Sequence, residues 1–403
     1  MGIIGCGNIA SSYLTLAPRF KSIEIRGVAD INADAAGARG DEFGVPAMTV
    51  EALLADESID IALNLTVPAA HVTVSRQALE AGKHVFSEKP FVLSVEEGRE
   101  LGALAAARGL RIGSAPDTFL GGAHQHVRAL IDAGSIGRVT SGTAHVLNHG
   151  MEHWHPNPDF FYKVGAGPVL DIGPYYVTQL VQLLGPVIRV SAMSVTPQSR
   201  RVISSQPRAG ETVDVETPTT LHALLAFASG AVVTLGASWD VRAHRHEPIE
   251  LYGETGSLYL SDPNFFGGDT LKADIDVAPT VVNDWPGVEA HDKGKSPVEG
   301  ENLGQGESDG SVSGSIHPFS VANHEDSKGR VANYRSAGLA DMAAGIQEGR
   351  PHRCSFELAL HVVDTMTSIL TSAEQGAFVE LATSCERPAP LTAAEAGAML
   401  KDT

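Results

Sequence analysis

Three residues of this chain have the types and spacing that proton transfer needs. Glu88-Lys89-Pro90 supplies a lysine, and Asp171 and Tyr175 supply a carboxyl and a phenol four residues apart. Residues four apart on a helix leave from the same face, so the last two could enter one pocket together. If Lys89 joins them there, the three groups could orient a substrate hydroxyl and exchange its proton.

Each residue also has an ordinary structural interpretation. Lys89 could be an exposed lysine held by Glu88. Asp171 could cap a helix whose Tyr175 packs in the core. The reactive interpretation of the acid and the phenol therefore depends on Lys89.

A glycine-rich turn near the start of the chain predicts a cofactor site. Gly5-Cys6-Gly7-Asn8-Ile9-Ala10 follows a strand and opens a helix, so its glycines allow a tight turn and its first helical amides can bind a pyrophosphate. Asp30 ends the next strand, where a carboxylate binds ribose hydroxyls and repels a 2′-phosphate. The pattern favours NAD over NADP. The alternative is a structural turn with Asp30 as a strand-end cap.

Two further strand ends complete the expected cofactor site. Thr66-Val67-Pro68 ends one strand, with His71 just beyond, and Glu88-Lys89 ends the next. In open parallel sheets, ligands bind at the carboxyl ends of the strands, so we expect these loops beside the nicotinamide. The positive charge of an oxidised nicotinamide and partial burial would lower the pKa of Lys89. His71 is equally consistent with a simple helix start.

A cluster of imidazoles raises the question of a metal site. Four histidines lie within eleven residues: His145, His149, His153 and His155. Gly150 and Pro156 interrupt any helical spacing that would bring them together on one metal ion. We therefore predict no metal site.

The same stretch contains the best candidates for substrate binding. The imidazoles of His153 and His155 could bind hydroxyls, and the indole of Trp154 offers a flat face to a sugar ring. Tyr162 and Tyr176 are further candidates to line this pocket. The alternative for the loop is plain surface structure.

The elements that must position these groups fall into two domains. Over residues 1–118, short apolar runs alternate with helical stretches, which is typical of an α/β Rossmann domain with a parallel sheet. Over 119–403, longer strands separated by polar turns predict a second α/β domain with a large, mostly antiparallel open sheet. One helix is predicted over 169–184. A polar stretch, 282–329, reads as a surface loop or lid.

Bulk composition excludes several functions. The 403 residues carry a formal charge of −19, which disfavours nucleic acid and anionic membrane surfaces as partners. No apolar run reaches the length of a membrane span. Three cysteines without paired or metal-type spacing, and no signal peptide, favour a reducing, cytoplasmic location. The chain starts inside a strand, so its beginning looks clipped, which weakens that prediction.

These motifs resemble the Gfo/Idh/MocA family, the relatives of glucose–fructose oxidoreductase and inositol dehydrogenase. The resemblance implies a Rossmann domain followed by an α/β domain whose open sheet often packs against a partner subunit, and so a homodimer or homotetramer. It also implies oxidation or reduction of sugars, polyols and their derivatives with NAD or NADP. The strongest stretches are 2–10, 81–90, 165–175 and 349–353.

The resemblance also assigns roles to residues. The family's glutamate-lysine-proline element maps onto Glu88-Lys89-Pro90, with Lys89 as the catalytic lysine. Its aspartate-x-glycine-x-histidine element maps onto Asp171 to Tyr175, with tyrosine in place of histidine. The glucose–fructose oxidoreductase and dihydrodiol dehydrogenase branches look similar, so the proton acceptor stays open between Lys89 and Tyr175. Val67 replaces a usual proline, and the loop 150–162 is long for the family.

Three functions are therefore compatible with the sequence. The first is an NAD-dependent oxidoreductase that moves a hydride between a sugar or polyol carbinol and nicotinamide. The second is a glycosidase or epimerase-like enzyme of the same fold that recycles the hydride internally. The third, a non-enzymatic sensor of NAD or sugar, is disfavoured by the presence of Lys89.

Overall fold

The structure, a computed structural model, describes residues 1–267, 273–274, 317–326 and 329–401. The first domain contains a six-stranded parallel sheet with strand order β3-β2-β1-β4-β5-β6, which confirms the predicted Rossmann domain. Its strands are β1 (Gly2–Ile4), β2 (Gly27–Ala29), β3 (Ala47–Met48), β4 (Ile61–Asn64), β5 (His84–Ser87) and β6 (Ile112–Ser114). Its helices are α1 (Asn8–Leu16), α2 (Ala33–Phe43), α3 (Val50–Ala55), α4 (His71–Glu80) and α5 (Val95–Ala107).

The strand register brings the candidate residues to one edge of this sheet. Ile4 lies opposite Ala29 on one side and Asn64 on the other, and Asn64 lies opposite Ser87. These four residues end β1, β2, β4 and β5. The loops that follow therefore leave side by side.

The second domain is built on an eight-stranded sheet of order β15-β14-β13-β7-β12-β11-β8-β18. Only β7 and β12 pair in parallel among its described strands, so the prediction of a mostly antiparallel sheet is confirmed. Its strands are β7 (Val139–Leu147), β8 (Val187–Val195), β11 (Thr220–Phe227), β12 (Val232–Ser238), β13 (Ile249–Gly253), β14 (Ser257–Leu260), β15 (Ala273–Asp274) and β18 (Val379–Glu380). Two hairpins lie outside it: β9 (Arg200–Val202) with β10 (Thr212–Asp214), and β16 (His324–Asp326) with β17 (Gly329–Val331).

Helices cover one face of the large sheet. The helices of this half are α6 (Gly122–Asp132), α7 (Pro168–Asp171), α8 (Gly173–Leu184), α9 (Ala337–Glu348), α10 (Phe356–Gln375) and α11 (Ala393–Met399). α8 packs on β7 and α10 packs on β8, while α9 returns to pack on β6 of the first domain. The domains are thus joined by packing as well as by the chain.

One predicted helix is broken. The helix expected over 169–184 is two helices, α7 and α8, that meet at Ile172. Pro174 explains the break, because it has no N–H to donate to the fourth residue before it. The Tyr175 amide then bonds the Ile172 carbonyl at 3.1 Å, so the Asp171 carbonyl is left for another donor.

The predicted lid lies largely outside the described residues, which omit 282–316 and 327–328 of that stretch. The described remainder contains a short turn at Pro318–Ser320 and the β16–β17 hairpin. Among the helices that the structure describes, none is both long and apolar enough to cross a bilayer.

Candidate active site

The glycine turn leaves space where a pyrophosphate would bind. Gly5 has φ +105°, and a Cβ there would lie 2.6 Å from the backbone carbonyl carbon of Leu65. Only glycine fits such a close approach. A Cβ at Gly7 would meet nothing within 4 Å, so the side facing the start of α1 is open. The amides that begin at Asn8 and Ile9 and this open space fit a dinucleotide pyrophosphate.

Asp30 stands beside the glycine turn, as the sequence predicts for a ribose ligand. Its Oδ2 accepts from the Cys6 amide at 2.7 Å, and its Oδ1 accepts from the Asn32 amide at 2.8 Å. The carboxylate therefore caps local backbone, as in the alternative interpretation. Each oxygen also has a second lone pair for a ribose hydroxyl.

We call the edge of the parallel sheet at which β1, β2, β4 and β5 end the cofactor edge. His71 joins the loops that follow β4 and β5 there. Its ring is buried, with Nδ1 2.7 Å from the Pro90 carbonyl oxygen and Nε2 3.0 Å from the Thr66 carbonyl oxygen. Thr66 is also fixed by its Oγ1, which donates to Asn64 at 2.6 Å, whereas Pro68 is exposed. His71 is thus placed to hold the loop after β4 against the Lys89-Pro90 segment.

Lys89 meets the acid and the phenol of the second domain. Its Nζ donates to the Asp171 carbonyl oxygen at 2.7 Å and to Asp171 Oδ1 at 3.0 Å. The Nζ also lies 5.3 Å from the centroid of the Tyr175 ring. The carbonyl is the one that the helix break at Pro174 leaves without a helical donor. The three sequence-selected reactive residues therefore lie together, although not on one continuous helix.

The expected direction of the Lys89 pKa is wrong for the protein without cofactor. Burial does lower the pKa of this ammonium. The negative charge that Tyr175, Asp171 and Glu88 can carry outweighs burial and raises the pKa above its usual value. Lys89 is therefore held protonated. The expectation rested on partial burial and on the positive charge of an oxidised nicotinamide, and the acids that face the ammonium outweigh the burial.

Glu88 belongs to a buried network that sequence reasoning missed. Its Oε1 accepts from the Tyr13 hydroxyl at 2.9 Å and from Arg335 Nη1 at 3.0 Å. Its Oε2 accepts from the Lys89 amide at 3.0 Å. The Arg335 guanidinium also lies over the Tyr13 ring, 5.7 Å from its centroid. We call Tyr13, Glu88, Lys89 and Arg335 the Glu88 network. No local pattern marks it, because Tyr13 and Arg335 are 75 and 247 residues from Glu88.

The predicted substrate loop lies in the second domain, with its aromatic face partly open. Trp154 is 64% exposed and contacts His155 edge-on, with centroids 5.3 Å apart. His155 accepts from the Asn157 amide at 3.1 Å. His153 stacks on His149 at 3.7 Å, and its Nε2 lies 2.5 Å from the His149 carbonyl oxygen. Substrate contact by these residues stays a prediction.

The two tyrosines expected in the pocket have other partners. Tyr162 is fully buried, its hydroxyl donates to Glu152, and the Met151 amide donates to it at 3.0 Å. Tyr176 is also buried and its hydroxyl bonds Asp262, which together with burial raises its pKa. Neither hydroxyl is directed to Lys89. The sequence could not foresee this, because a tyrosine beside a pocket and a tyrosine in a core look alike.

A second buried network holds the substrate loop. Arg201, from β9, donates to Glu152 Oε1 at 2.9 Å and pairs with Asp240. Its guanidinium lies 5.4 Å from the centroid of the Tyr162 ring. We call Glu152, Tyr162, Arg201 and Asp240 the Glu152 network. It closes over a small apolar core that is separate from the main one: Met151, Phe161, Tyr162, Ile203, Val213 and Trp239.

Within the described part of the chain, no group of three or more histidine, cysteine, aspartate or glutamate side chains is arranged to hold a metal ion. Four of the imidazole rings instead stack on one another in two pairs. His145 stacks on His246 at 3.9 Å, and His149 stacks on His153.

Family sequence profiles match both domains. Residues 1–115 match the oxidoreductase family with an NAD-binding Rossmann fold, and residues 124–259 match the Gfo/Idh/MocA C-terminal domain. Together they cover most of the chain.

Individual relatives are more distant. An uncharacterised oxidoreductase of Schizosaccharomyces pombe is 31% identical over 36% of this chain, and the match spans only 39% of that relative. A D-xylose 1-dehydrogenase (NADP+) of Haloferax volcanii is 25% identical over 69% of this chain and 80% of its own length.

Among solved structures, an oxidoreductase from Agrobacterium radiobacter, in complex with NAD+, L-tartaric acid and magnesium, shares the fold. Its TM-score is 0.67, with 16% identity over 94% of this chain and 97% of that one. With both family profiles matched in order and the parallel cofactor edge in place, the chain belongs to the Gfo/Idh/MocA family of NAD-binding oxidoreductases.

Proposed function

We propose that the protein is an NAD-dependent oxidoreductase that moves a hydride between nicotinamide and a carbinol carbon of a sugar, a polyol or a sugar derivative. The observation that carries the proposal is the meeting of Lys89 with Asp171 and Tyr175 beside the cofactor edge. Nicotinamide, when bound, supplies the hydride acceptor or donor. The residues of the chain have to bind the cofactor and the substrate and exchange a proton with the substrate oxygen.

The residues that would hold the cofactor lie along the carboxyl edge of the parallel sheet. The glycine turn and the first amides of α1 would bind the pyrophosphate, and Asp30, which bonds the Cys6 amide of that turn, would accept from the ribose hydroxyls. A carboxylate at that position repels a 2′-phosphate, which favours NAD. The Haloferax volcanii relative is an NADP+-dependent D-xylose 1-dehydrogenase, so we test the preference of this chain directly below.

The proton step follows from the charge on Lys89. In the direction of reduction, the Tyr175 hydroxyl donates its proton to the substrate carbonyl oxygen as the carbon receives hydride. The Lys89 ammonium, close to the ring, stabilises the phenolate that forms. Oxidation is the reverse, and the phenolate then accepts the hydroxyl proton. Asp171 holds Lys89 in place through two hydrogen bonds.

The remaining features of the proposal concern substrate and assembly. His153, Trp154 and His155 would contact the sugar hydroxyls and ring. We propose a homo-oligomer that covers the face of the large sheet opposite α8 and α10, because Met193 and Leu224 there are 80% and 48% exposed. The described thiols are free, in keeping with a cytoplasmic location.

The test is absorbance at the NADH band, with NAD and pooled aldoses, polyols and sugar acids. We expect sustained NADH formation by the native chain. Lys89→Met should lower turnover by about 10²–10⁴-fold, the usual scale for a lost proton-transfer group, while NAD still binds. Lys21→Met, an exposed lysine, is the control. Near-normal turnover of Lys89→Met would refute its role.

Two further results would revise the proposal. If NAD stays bound and no NADH accumulates, the hydride is recycled internally and the glycosidase or epimerase-like function takes precedence. The cofactor preference is tested with Asp30→Ala. We expect this variant to lower the ratio of NAD affinity to NADP affinity at least tenfold. An unchanged ratio would leave Asp30 as a structural cap.

A further inference from the structure

Lys89 bonds two carboxylates, but its ammonium bonds only one of them: the backbone amide donates to Glu88 Oε2 at 3.0 Å, and Nζ donates to Asp171 Oδ1. Its Nζ is held by Asp171 on the second domain. The other carboxylate, Glu88, is the adjacent residue and lies close enough to act on the charge of Lys89. An ammonium that turned to Glu88 would leave Asp171 and Tyr175. Something must therefore keep Glu88 from competing.

Both oxygens of Glu88 already accept hydrogen bonds. Oε1 takes the Tyr13 hydroxyl and Arg335 Nη1, and Oε2 takes the Lys89 backbone amide. Arg335 supplies the only full positive charge among these three donors. Because Glu88 is buried, its carboxylate needs such a charge close by.

The chain around Arg335 is built to aim it. Ser336 follows it at φ +88°, a left-handed conformation that is costly for a residue other than glycine. The buried carboxylate of Asp117 accepts from the amides of Ser336 and Gly338 at 3.0 and 3.1 Å, which fixes this turn at the start of α9. Tyr334, on the other side of Arg335, stacks on Phe319 at 4.5 Å. The guanidinium is thus held from both flanks.

We propose that Arg335 is a positioning residue for Lys89: by holding Glu88 in an ion pair, it leaves Asp171 as the carboxylate that binds the Lys89 ammonium beside Tyr175. Among the described residues the Arg335 guanidinium donates to Glu88 and to no reacting group, although it lies close enough to Tyr175 for their charges to interact. It acts through Glu88, and it connects the last third of the chain to the lysine of the first domain. The role in turnover rests on the proposed function above.

A double-mutant cycle tests this role. Arg335→Met should lower kcat at least about 30-fold, because the unpaired Glu88 then draws Lys89 away. Adding Glu88→Gln removes the competing charge, so the kcat of the double variant should be at least tenfold higher than that of Arg335→Met. NAD affinity should stay within about threefold throughout. A double variant no faster than Arg335→Met would overturn the proposal. Because Glu88→Gln also relieves a buried unpaired charge, kcat is compared at a temperature at which circular dichroism shows every variant fully folded, so that a rescue of stability alone does not count.

The control is Arg350→Met. Arg350 also pairs with a buried carboxylate, that of Asp341, but Arg353 keeps that carboxylate paired when Arg350 is lost. We expect its kcat to stay within twofold of the native value. A loss as large as that of Arg335→Met would show a general effect of removing arginine, and would also overturn the proposal.

A readout without turnover separates this inference from the proposed function. Acetic anhydride labels unprotonated amines, and mass spectrometry gives the labelling rate of Lys89 relative to exposed Lys21. The Glu88 side chain is 9% exposed and that of Asp171 is 21% exposed, so an ammonium that turns from Asp171 to Glu88 becomes less accessible to the reagent. The relative rate should therefore fall at least fivefold in Arg335→Met, and the double variant should restore it. If no substrate is turned over yet this pattern holds, the proposed function fails and the positioning role stands. An unchanged rate in Arg335→Met would refute the positioning role alone.

Discussion

The Glu88 and Glu152 networks are built from the same three groups but serve different ends. Each contains a buried glutamate, an arginine from a later segment paired with it at 3.0 or 2.9 Å, and a tyrosine hydroxyl donating to the same carboxylate. In each, the guanidinium also lies over the tyrosine ring, at 5.7 or 5.4 Å. The local chemistry is therefore nearly identical.

What differs is the next charged neighbour. Beside Glu88 stands a second cation, Lys89, whereas beside Arg201 stands a second carboxylate, Asp240. Loss of the arginine from the Glu88 network can be repaired by Lys89, at the expense of its position. Loss of Arg201 leaves two acids without their cation. The same substitution should therefore cost activity in one network and stability in the other.

The largest expected effect is that of Arg201→Met on stability. Breaking a buried ion pair by removing one partner costs about 3–5 kcal/mol, because the remaining charge is uncompensated. Both acids that face Arg201 are largely buried. We expect a loss of this size in the free energy of unfolding, measured by urea denaturation. Arg335→Met should lose clearly less, about 1–2 kcal/mol, because Lys89 remains beside Glu88.

The adjacent residue provides a matched control. Arg200 pairs with Asp214 on the surface, where the two side chains are 64% and 61% exposed. Exposed pairs contribute about 0–1 kcal/mol, so Arg200→Met should change stability by about 0.5 kcal/mol or less. Equal losses for Arg200→Met and Arg201→Met would contradict the importance given to burial here.

The difference between the networks also shows how far sequence reasoning reached. The cofactor edge could be predicted, because the glycine turn, Asp30 and the Glu88-Lys89 strand end are local signals whose meeting follows from a parallel sheet. Neither network could be predicted from the sequence, because their arginines come from distant segments with no pattern around them. The helix break at Ile172 could have been predicted from the sequence, because Pro174 has no N–H to donate within a helix. The Lys89 pKa was not, because its direction depends on which acids face the ammonium.

We expect the free energy of unfolding to depend on pH through Asp117, the carboxyl that fixes the turn after Arg335. The Glu152 network is given no such group. Burial raises the pKa of Asp117 from 3.8 to about 6, with Arg335 and the Gly338 amide opposing. Between these values the folded state binds more protons than the unfolded state, so this group makes stability fall as pH rises from about 4 to 6.

Asp117→Asn removes that titration. The variant should therefore gain stability relative to the native chain as pH rises from 4.5 to 7, by about 2 kcal/mol at about 1.4 kcal/mol per pKa unit. Urea denaturation at several pH values measures the difference. A difference that is constant across this range would show that Asp117 does not titrate there.

Removal of the two tyrosine hydroxyls should have smaller effects on stability than removal of Arg201. Tyr13→Phe and Tyr162→Phe each remove a donor to a buried glutamate, and each should cost about 1–2 kcal/mol of stability. Tyr13, however, lies on α1, the helix whose first turn we propose to bind the pyrophosphate, and its hydroxyl anchors that helix to Glu88. Tyr13→Phe should therefore also weaken NAD binding, by about three- to tenfold in a fluorescence titration, as α1 loses its anchor.

Tyr162→Phe is the control. It should leave NAD affinity within twofold, since the Glu152 network touches no part of the cofactor edge that is described above. Equal effects of the two variants on NAD affinity would mean that the anchor of α1 does not matter, and that the Glu88 network acts on Lys89 alone.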